Sequence, residues 1–419
     1  MPGRSLHIAW LGAGPRPKET GGVPGVATDL LHGLAAQGHR VEALFGGWEH
    51  ELPPKVADQE NLTFFWSGTN WRWGGWYNRT RITMFVSGLI ARGLASLRLR
   101  REVARRHRAD PFDVVYQFGH IETLALPAGV RRHVPLVIHP EVHTRGELRS
   151  MIAERKLARR SEPAHTLVIA GSVMWLRSFV QRFWIRRANL VICISRVFRG
   201  YLIADYGVAP ERTVVVPNPV RLTRFSDVDL NRPLGQPPAI LVLGRIAVRK
   251  GLEDVIALAE LLLERGVQAR IRIIGRASLW SNYIPLLAEL PENAEFLGSM
   301  PPDEVPGELS RSDVLLQASK YEPFGLTVAE ALAAGVTVVA TTEVGAAEGV
   351  SRSVLAAVAP GDVEGMFAAT EELIGRLAES PAETREAAHA EAERLFAPDI
   401  VCEHVAAALE QAVTSFGRR

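Results

Sequence analysis

The sequence predicts an α/β protein built from two Rossmann-like domains that face each other across a cleft. Its 419 residues exceed what one hydrophobic core normally supports. Short apolar runs typical of buried strands alternate with longer helical segments along the chain. This alternation stops in a Pro-rich, polar stretch at residues 217–238 and then starts again, as expected for a linker between two domains.

The first half of the chain, residues 1–220, predicts an N-terminal domain. Because strands and helices alternate, the strands are expected to form a parallel sheet that the helices cover. The strands are predicted at residues 6–11, 41–45, 113–117, 136–139, 190–194 and 213–216. The helices are predicted near residues 26–37, 82–106, 145–159, 167–187 and 196–206.

The second half repeats the pattern and predicts another Rossmann-like domain at residues 221–395. Its strands are predicted at residues 239–243, 269–274, 294–297, 314–317, 336–340 and 354–358, with helices between them. The last segment, residues 396–419, is predicted to be a helix because apolar residues recur at helical spacing, at Ile400, Val401, Val405 and Leu409.

Charge and composition exclude several classes of protein. The net charge of +2 argues against a surface dedicated to nucleic acid. The only cysteines, Cys193 and Cys402, lie far apart, which predicts no disulfide, no cysteine-based metal site and a reducing compartment. The N-terminus lacks a signal-peptide pattern, and the most apolar stretch, residues 166–185, is interrupted by Arg177 and Arg182. We therefore expect a cytoplasmic protein, soluble or peripheral to a membrane.

The strongest chemical signal is the segment Glu322-Pro-Phe-Gly-Leu-Thr-Val-Ala-Glu330, which follows a predicted buried strand and opens a helix. Gly325 permits a tight turn at the helix start, where unpaired amides and the helix dipole favour a diphosphate or a sugar oxygen. Glu330 lies inside the helix and can accept hydrogen bonds from ribose hydroxyls. Glu322, in the loop, can contact the sugar. The alternative is a solvated helix with an ordinary entry turn.

Basic residues follow the first predicted strand of the second domain, in residues 243–251. The carboxyl ends of parallel strands line the crevice of such a sheet. Arg245 and Lys250 are therefore placed to neutralise a leaving diphosphate without a metal ion. A basic loop is often only a solvated turn, and the pairing with the glutamate segment favours a site.

Two further features lie at the corresponding edge of the first sheet. The loop after the first strand contains Gly21 and Gly22, whose amides can approach a phosphate, although such a loop can also be a flexible connector. His139 ends a predicted strand at the edge that faces the crevice. This location favours a role in the site, although a lone histidine is more often structural.

Together these segments resemble the family 4 retaining glycosyltransferases, also described as glycosyl transferases group 1, whose two-domain fold is called GT-B. The resemblance covers nearly the whole chain. Besides the residues above, it rests on residues 188–195, Val216-Pro217-Asn218-Pro219-Val220, Gly345 and Pro360-Gly361-Asp362. It implies that the terminal helix crosses back to the first domain.

The resemblance implies a donor site for a nucleoside diphosphate sugar. Arg245 and Lys250 would hold the diphosphate, and Glu330 would hold the ribose. The transferred sugar would meet Glu322 and the amides of Phe324, Gly325 and Leu326. The phosphate would also touch the loop of Gly21 and Gly22, and the nucleobase would pack near Ser299 and Met300.

The resemblance also implies a reaction that keeps the anomeric configuration of the donor. The acceptor hydroxyl would attack from the front face, and the leaving phosphate would accept its proton. His139, Arg245, Lys250 and Glu322 would then be the catalytic residues, with no protein nucleophile, metal or cofactor.

Residues 64–77 are rich in aromatic side chains and too irregular for a helix. Trp71, Trp73 and Trp76 are candidates for stacking on an acceptor sugar, and the alternative is a loop anchored by its own aromatics. Residues 79–108 combine apolar residues with many arginines and predict peripheral contact with an anionic membrane. Here the alternative is a core helix with a solvated basic end.

Three functions compete on this sequence. The first is an enzyme that transfers a sugar from a nucleoside diphosphate to a hydroxyl acceptor, which can be a saccharide, a lipid-linked molecule or a small natural product. The second is a catalytically silent protein of the same fold that binds nucleotide sugars. The third is a related enzyme, either an epimerase or a pseudo-glycosyltransferase that couples cyclitols. We do not expect the protein to bind a nucleic acid.

Overall fold

The structure, a computed structural model, contains two parallel sheets, one in each half of the chain. It describes residues 4–14, 22–48, 60–69, 81–119, 126–158, 164–277 and 283–417. The predicted α/β fold of two Rossmann-like domains is therefore confirmed.

Within the described residues, the first sheet has seven strands that pair in parallel with their neighbours. These strands are β1 (His7–Gly12), β2 (Arg40–Trp48), β3 (Leu62–Thr69), β4 (Val114–Phe118), β5 (Leu136–His139), β6 (Leu190–Cys193) and β7 (Thr213–Val215). They lie in the order β3-β2-β1-β4-β5-β6-β7. The order reverses between β1 and β4, and ligands of such sheets bind at the crevice formed there.

Strand β3 corrects the sequence analysis, which treated residues 64–77 as an irregular stretch. Residues 62–69 pair in register with β2. The side chains of β3 alternate between the two faces of the sheet. Phe64 and Trp66 contact Phe45 with ring centroids 6.2 and 5.2 Å away, whereas Phe65 lies under the guanidinium of Arg106 at 5.5 Å. Both faces of this edge strand carry aromatic side chains, so the sequence lacks the polar–apolar alternation expected of a half-buried strand.

In the part of the chain that the structure describes, the second sheet has six parallel strands in the order β10-β9-β8-β11-β12-β13. They are β8 (Ala239–Leu243), β9 (Arg270–Ile274), β10 (Ala294–Phe296), β11 (Val314–Gln317), β12 (Thr337–Thr341) and β13 (Leu355–Val358). Each overlaps a predicted strand, with ends shifted by one residue in several cases. The prediction is clearest for β8, β11 and β12, because apolar residues dominate these central strands, which helices cover on both faces.

Helices connect the strands of both sheets. In the first half they are α1 (Gly22–Ala36), α2 (Arg81–Ala109), α3 (Ala128–His133), α4 (Thr144–Ala153), α5 (Arg155–Ala158), α6 (Ala164–Ile185) and α7 (Arg196–Tyr206). In the second half they are α8 (Leu252–Glu264), α9 (Val305–Leu309), α10 (Leu326–Ala333), α11 (Val363–Glu379), α12 (Pro381–Phe396) and α13 (Pro398–Phe416). None of the helices in the described ranges combines enough length with enough apolar character to span a lipid bilayer.

One predicted helix, residues 145–159, is divided into α4 and α5. Glu154 lies between the two, and its carboxylate accepts hydrogen bonds from the amide of Arg249 and the hydroxyl of Tyr283, at 2.9 Å each. Ser195 accepts a hydrogen bond from the amide of Phe198 at the start of α7, as expected of a serine N-cap.

Helix layers cover both faces of the first sheet. On one face lie α1 and the terminal helix α13, whose buried side chains include Leu30, Leu34, Val405 and Leu409. On the other face lie α2, α3, α6 and α7, whose buried side chains include Leu99, Val130, Ile185 and Leu202. The last helix of the chain thus packs on the first domain.

Polar contacts join the two domains next to the crevice. The hydroxyl of Ser195 donates to the carbonyl of Pro323 at 2.7 Å. The carboxylate of Glu348 accepts hydrogen bonds from the amides of Arg196 and Val197 at the start of α7, 2.7 Å each. A carboxylate at this position is favoured by the positive end of the helix dipole. These contacts fix the carboxyl edges of the two sheets relative to each other.

Candidate functional site

The start of α10 is built around a glycine that the local geometry requires. Gly325 has a φ of 94°, in the left-handed region that favours glycine. A Cβ at this position would lie 3.0 Å from Val344 and 3.2 Å from Glu322. The glycine therefore lets the chain turn directly from Glu322 into α10, whose first amides face the crevice.

A second glycine brings the basic loop after β8 against the strand β11. Gly251 has a φ of 72°, and a Cβ there would lie 1.9 Å from the carbonyl oxygen of Ala318. The loop can approach this closely only without a side chain at residue 251. The approach places Lys250 beside Glu322.

Lys250 and Glu322 form an ion pair in which the Lys250 ammonium donates a hydrogen bond to the Glu322 carboxylate. The guanidinium of Arg249 lies 3.6 Å from the same carboxylate. Burial alone would raise the pKa of Glu322, but Lys250 and Arg249 lower it below its usual range. Glu322 is therefore ionised at neutral pH and orients the ammonium group.

Arg245 differs from Lys250 because its side chain is exposed and forms no ion pair with any residue in the described ranges. It follows β8 at the carboxyl edge of the second sheet. Although the side chain is exposed, the surrounding protein partly desolvates its guanidinium, and this effect and the nearby charge of Arg249 lower its pKa. Arginine nevertheless stays protonated at neutral pH. The guanidinium of Arg245 is therefore available to bind an anion that enters the crevice.

Glu330 is paired with Arg224, a residue that the sequence analysis missed. The Glu330 carboxylate accepts a hydrogen bond from Arg224 Nη1 at 3.1 Å, and Arg224 Nη2 donates to the carbonyl of Pro302 at 2.6 Å. Only 15% of the Glu330 side chain is exposed, and this burial raises its pKa while Arg224 opposes the rise. Because 106 residues separate the pair, no local pattern indicates it.

His139 is fully buried at the end of β5. Its Nδ1 lies 2.6 Å from the hydroxyl of Tyr116, and its ring meets Phe118 edge to face at 5.1 Å. Burial lowers the pKa of His139 to about 3, so the ring is neutral. Within the described residues, Nε2 has no hydrogen-bond partner, and the carboxylate of Glu141 lies 3.6 Å from it.

Glu141 is a second residue that the sequence analysis missed. Its side chain is 4% exposed, and one carboxylate oxygen accepts a hydrogen bond from Asn218 Nδ2 at 2.6 Å. Burial raises the pKa of Glu141 to about 7, whereas the bond from Asn218 opposes the rise. Its position two residues after His139, past the same strand end, is the sequence signal that would have indicated it. Asn218 belongs to the segment Val216–Val220 that carried part of the family resemblance.

The first domain also contacts the basic loop through α4. Glu154 accepts its hydrogen bond from the amide of Arg249, next to Lys250. The hydroxyl of Tyr321, adjacent to Glu322, lies 3.2 Å from His143 Nδ1. A Cβ on Gly146 of α4 would lie 2.5 Å from the Tyr321 ring. Helix α4 therefore packs directly against the residues that surround Glu322.

The other predicted site residues occupy varied positions. Gly22 is the first residue of α1, at a φ of 68°. Ser299 is exposed, and Met300 is half-buried against the core. Phe324 is buried against Phe396, and Leu326 begins α10. Those outside the described residues are Gly21, Trp71, Trp73 and Trp76.

The structure thus brings Arg245, Lys250, Glu322, Gly325 and Glu330 to one edge of the second sheet. These residues present cations, paired carboxylates and helix amides, a combination suited to a diphosphate and the hydroxyls attached to it. Among the described residues, no group of three or more His, Cys, Asp or Glu side chains is arranged to hold a metal ion.

Two family models match consecutive parts of the chain. Residues 20–224 match the model described as Glycosyltransferase Family 4, and residues 229–392 match the model described as Glycosyl transferases group 1. The boundary between the two matches falls in the stretch between the sheets. Together they cover both domains.

Solved structures share the fold over nearly the whole chain. Sucrose-phosphate synthase from Thermosynechococcus elongatus superposes with a TM-score of 0.69 at 17% identity, over 98% of this chain and 100% of that one. Anabaena HepE in complex with UDP-glucose gives a TM-score of 0.60 at 17% identity, over 97% and 100%. At these identities the likeness shows the GT-B fold alone.

Curated relatives match shorter regions. The chain is 28% identical over 225 residues to 2-deoxystreptamine glucosyltransferase of Streptomyces kanamyceticus, which covers 48% of this chain and 58% of that protein. It is 28% identical over 173 residues to mannosylfructose-phosphate synthase of Agrobacterium fabrum, with 37% and 38% covered. The matched region therefore spans between 38% and 58% of these relatives' length.

Proposed function

Because the chain belongs to the group 1 and family 4 glycosyltransferases, we propose that it transfers a sugar from a nucleoside diphosphate sugar to a hydroxyl acceptor. The observation that carries this proposal is the Lys250–Glu322 ion pair beside the exposed Arg245 at the start of α10. It supplies cations for a diphosphate and an ionised carboxylate for sugar hydroxyls in the same place.

The donor is oriented by groups on the second domain. Arg245 and Lys250 bind the diphosphate, and the amides from Phe324 to Leu326 add hydrogen-bond donors. Glu330, held by Arg224, accepts hydrogen bonds from the ribose hydroxyls. Met300, which is half-buried beside the exposed Ser299, offers an apolar surface to the nucleobase.

We propose that the configuration at the anomeric carbon is retained by front-face attack. The bond between the anomeric carbon and the phosphate oxygen breaks, and the acceptor oxygen bonds to the same face of that carbon. The acceptor proton moves to the leaving phosphate oxygen. Arg245 and Lys250 stabilise the charge that develops on the phosphate, so the step requires neither a metal ion nor a cofactor. Glu322 is bound to Lys250, which leaves it poorly suited to act as a nucleophile.

His139 contributes a neutral ring at the edge of the first sheet. Its Nε2 has no partner among the described residues and can hydrogen-bond a sugar hydroxyl. Tyr116 bonds the opposite ring nitrogen and therefore sets the orientation of the ring. The acceptor classes remain a saccharide, a lipid-linked molecule or a small natural product, with Trp71, Trp73 and Trp76 as proposed contacts.

We also propose a cytoplasmic location with peripheral contact to an anionic membrane through α2. This helix exposes Ile90, Leu94 and Leu97, at 59%, 53% and 50%, on one side. Its basic residues Arg100 and Arg101 are also exposed. Apolar side chains flanked by arginines favour the boundary between headgroups and acyl chains.

Donor binding is the first test. Thermal unfolding is measured with UDP, GDP, ADP and TDP sugars, each with and without EDTA, beginning with UDP-glucose because Anabaena HepE was solved with it. We expect one base to raise the Tm, with no effect of the chelator. Absence of any shift would contradict the proposed donor site.

Turnover then separates the competing functions. We expect the stabilising sugar nucleotide to be consumed only when a hydroxyl acceptor is added. If the sugar nucleotide binds but is not consumed with any acceptor, the result would support the silent binding protein. If a product forms without an acceptor, the result would support an epimerase. Transfer only from a cyclitol nucleotide would support the pseudo-glycosyltransferase.

A further inference from the structure

The outward face of α6 is apolar, the reverse of the pattern that a surface helix of a globular protein normally shows. Val168, Trp175 and Phe179 are 67%, 65% and 60% exposed, and Leu176 and Phe183 are 55% and 40% exposed. Trp175, Phe179 and Phe183 follow each other at intervals of four residues, so they form one stripe along the helix. We name this stripe, with Val168 and Leu176, the α6 outer face.

Polar residues on the opposite side of α6 hold the helix in this orientation. Gln181 is 7% exposed, and its carbonyl oxygen accepts hydrogen bonds from the amide of Thr144 and the hydroxyl of Tyr206, at 3.0 and 2.6 Å. Its amide nitrogen donates to the carbonyl of Val142 at 2.6 Å. Rotating the apolar stripe inward would break these buried bonds, which is costly. The fold therefore presents the α6 outer face to the outside.

The charged side chains of α6 and of the residues that directly follow it are all of one sign. No Asp or Glu occurs from residue 163 to residue 204. In contrast, four exposed arginines lie in α6 or directly after it, at Arg177, Arg182, Arg186 and Arg187. The guanidinium of Arg187 lies 3.4 Å above the ring of Phe183, which places a cation at the edge of the stripe.

We propose that the α6 outer face docks on the surface of an anionic lipid bilayer. Its apolar side chains enter the boundary of the acyl chains, and the arginines pair with lipid phosphates. A second copy of the chain fits poorly, because two α6 helices that carry arginines and no acidic residue would repel each other. Helix α2 lies in the same helix layer, so the two helices can meet one membrane surface.

The α6 outer face is one helix away from the candidate site. Helix α6 packs on α4, and packed helices lie about 8–10 Å apart. Helix α4 in turn contacts Tyr321 through Gly146, and Tyr321 precedes Glu322. Docking of α6 therefore places the crevice near the bilayer, with α6 and α4 between them, which favours a lipid-linked acceptor. This consequence, unlike the docking itself, rests on the proposed function.

Vesicle co-sedimentation of the full chain tests the docking. The two vesicle types are phosphatidylcholine alone and phosphatidylcholine mixed with phosphatidylglycerol. The variants are Trp175→Ser/Phe179→Ser for the stripe and Arg182→Ser/Arg186→Ser for the charges. The matched control is Leu263→Ser on α8, which removes an apolar side chain that is 38% exposed in the other domain. A Leu94→Ser/Leu97→Ser variant reports on α2 separately.

We expect binding to the anionic vesicles only, weakened roughly tenfold or more by either α6 variant and unchanged by Leu263→Ser. Thermal unfolding and donor binding of the α6 variants should match the wild type, so loss of docking is distinct from loss of the donor site. Wild-type affinity in the Trp175→Ser/Phe179→Ser variant would overturn the proposal. A dimer that this variant dissociates, without vesicle binding by the wild type, would overturn it in favour of a second copy.

Discussion

The ammonium of Lys250 donates a hydrogen bond to the carboxylate of Glu322, although the two residues are 72 positions apart. Lys250 comes from the loop after β8 and Glu322 from the loop after β11, two strands that are neighbours in the second sheet. Their side chains are 19% and 14% exposed, so the interaction is only partly screened by water. The pair therefore holds a cation in a fixed position at the start of α10.

Replacing this cation should remove most of the catalytic activity. We expect Lys250→Ala to lower kcat/KM by roughly 100- to 1,000-fold, because one preorganised charge at a developing phosphate anion contributes that much. Steady-state transfer kinetics measure the loss. The control is Lys320→Ala, which removes a 41% exposed lysine in the same loop as Glu322. Full activity of a folded Lys250→Ala protein would contradict the assignment of the diphosphate site.

Glu330 and Arg224 should act as a unit in donor binding. We expect Glu330→Ala and Arg224→Ala each to weaken donor affinity about 10- to 100-fold. Glu330→Ala removes the carboxylate that accepts hydrogen bonds from the donor, and Arg224→Ala removes the side chain that holds this carboxylate in place. The double variant should be no weaker than Glu330→Ala alone, since the arginine acts through the carboxylate. Isothermal titration with the donor measures all three.

Additive losses in this cycle would mean that Arg224 binds the donor by itself and does not position Glu330. A suitable control is Arg376→Ala, which removes an exposed arginine that pairs with Glu372 on α11. Exposed pairs of this kind contribute little to stability. Donor affinity of this variant should equal that of the wild type.

The sequence predicted the second sheet and its site better than the first domain. The strands from β8 to β13 are short apolar runs between helices, and the segment Glu322 to Glu330 follows β11 as expected. Arg245, Lys250 and Glu322 could be predicted to lie at one edge of the second sheet because each follows the carboxyl end of a parallel strand, and these ends lie at the same edge. The pairing of Lys250 with Glu322 depends on the close approach at Gly251, which no local pattern predicts.

The misses have a common physical origin in long-range contacts. Arg224 and Glu141 carry charges whose role depends on partners far away in sequence, Glu330 and Asn218. The sequence analysis considered residues 166–185, in α6, only as a membrane span, because apolar side chains in a helix are equally compatible with burial in a core. The exposure of Trp175 and Phe179 and the buried bonds of Gln181 establish which face of α6 is outside.

Glu141 should make the free energy of unfolding depend on pH. Its pKa is raised from 4.5 to about 7 in the folded protein, so the unfolded state loses the proton first as the pH rises. The contribution of Glu141 to the free energy of unfolding is therefore fully present below pH 4.5 and falls by roughly 3 kcal/mol up to about pH 7. Glu141→Gln should remove this loss, and urea unfolding across that range measures the difference between variant and wild type.

The comparison with a variant is needed because His139 has the opposite effect. Its pKa is lowered from 6.5 to about 3, so its contribution is lost as the pH falls below 6.5. The pH dependence of the wild-type free energy of unfolding contains the contributions of both Glu141 and His139. Glu403→Gln, at an exposed position on α13, is the matched control and should track the wild type at every pH. A constant difference between Glu141→Gln and wild type would show that Glu141 ionises normally in the fold.

Gly251 and Gly266 offer a matched pair at the two ends of α8. Their φ angles are 72° and 70°, so alanine meets the same backbone strain at both positions, about 1–2 kcal/mol. A Cβ at Gly266 has no atom within 4 Å, whereas one at Gly251 lies 1.9 Å from the Ala318 carbonyl. We expect Gly266→Ala to show only the backbone cost and Gly251→Ala to lose a further 1–3 kcal/mol or so from overpacking. Chemical unfolding measures both.

The same substitution should also separate stability from donor binding. In Gly251→Ala the loop must move away from β11, and this movement separates Lys250 from Glu322. The ammonium of Lys250 is then no longer fixed in its position. We therefore expect donor affinity to fall in Gly251→Ala and to stay unchanged in Gly266→Ala, measured by titration under conditions where both variants are folded. Equal donor affinity in the two variants would mean that the contact of Gly251 with Ala318 stabilises the fold without positioning Lys250, and that the ion pair forms independently of the loop.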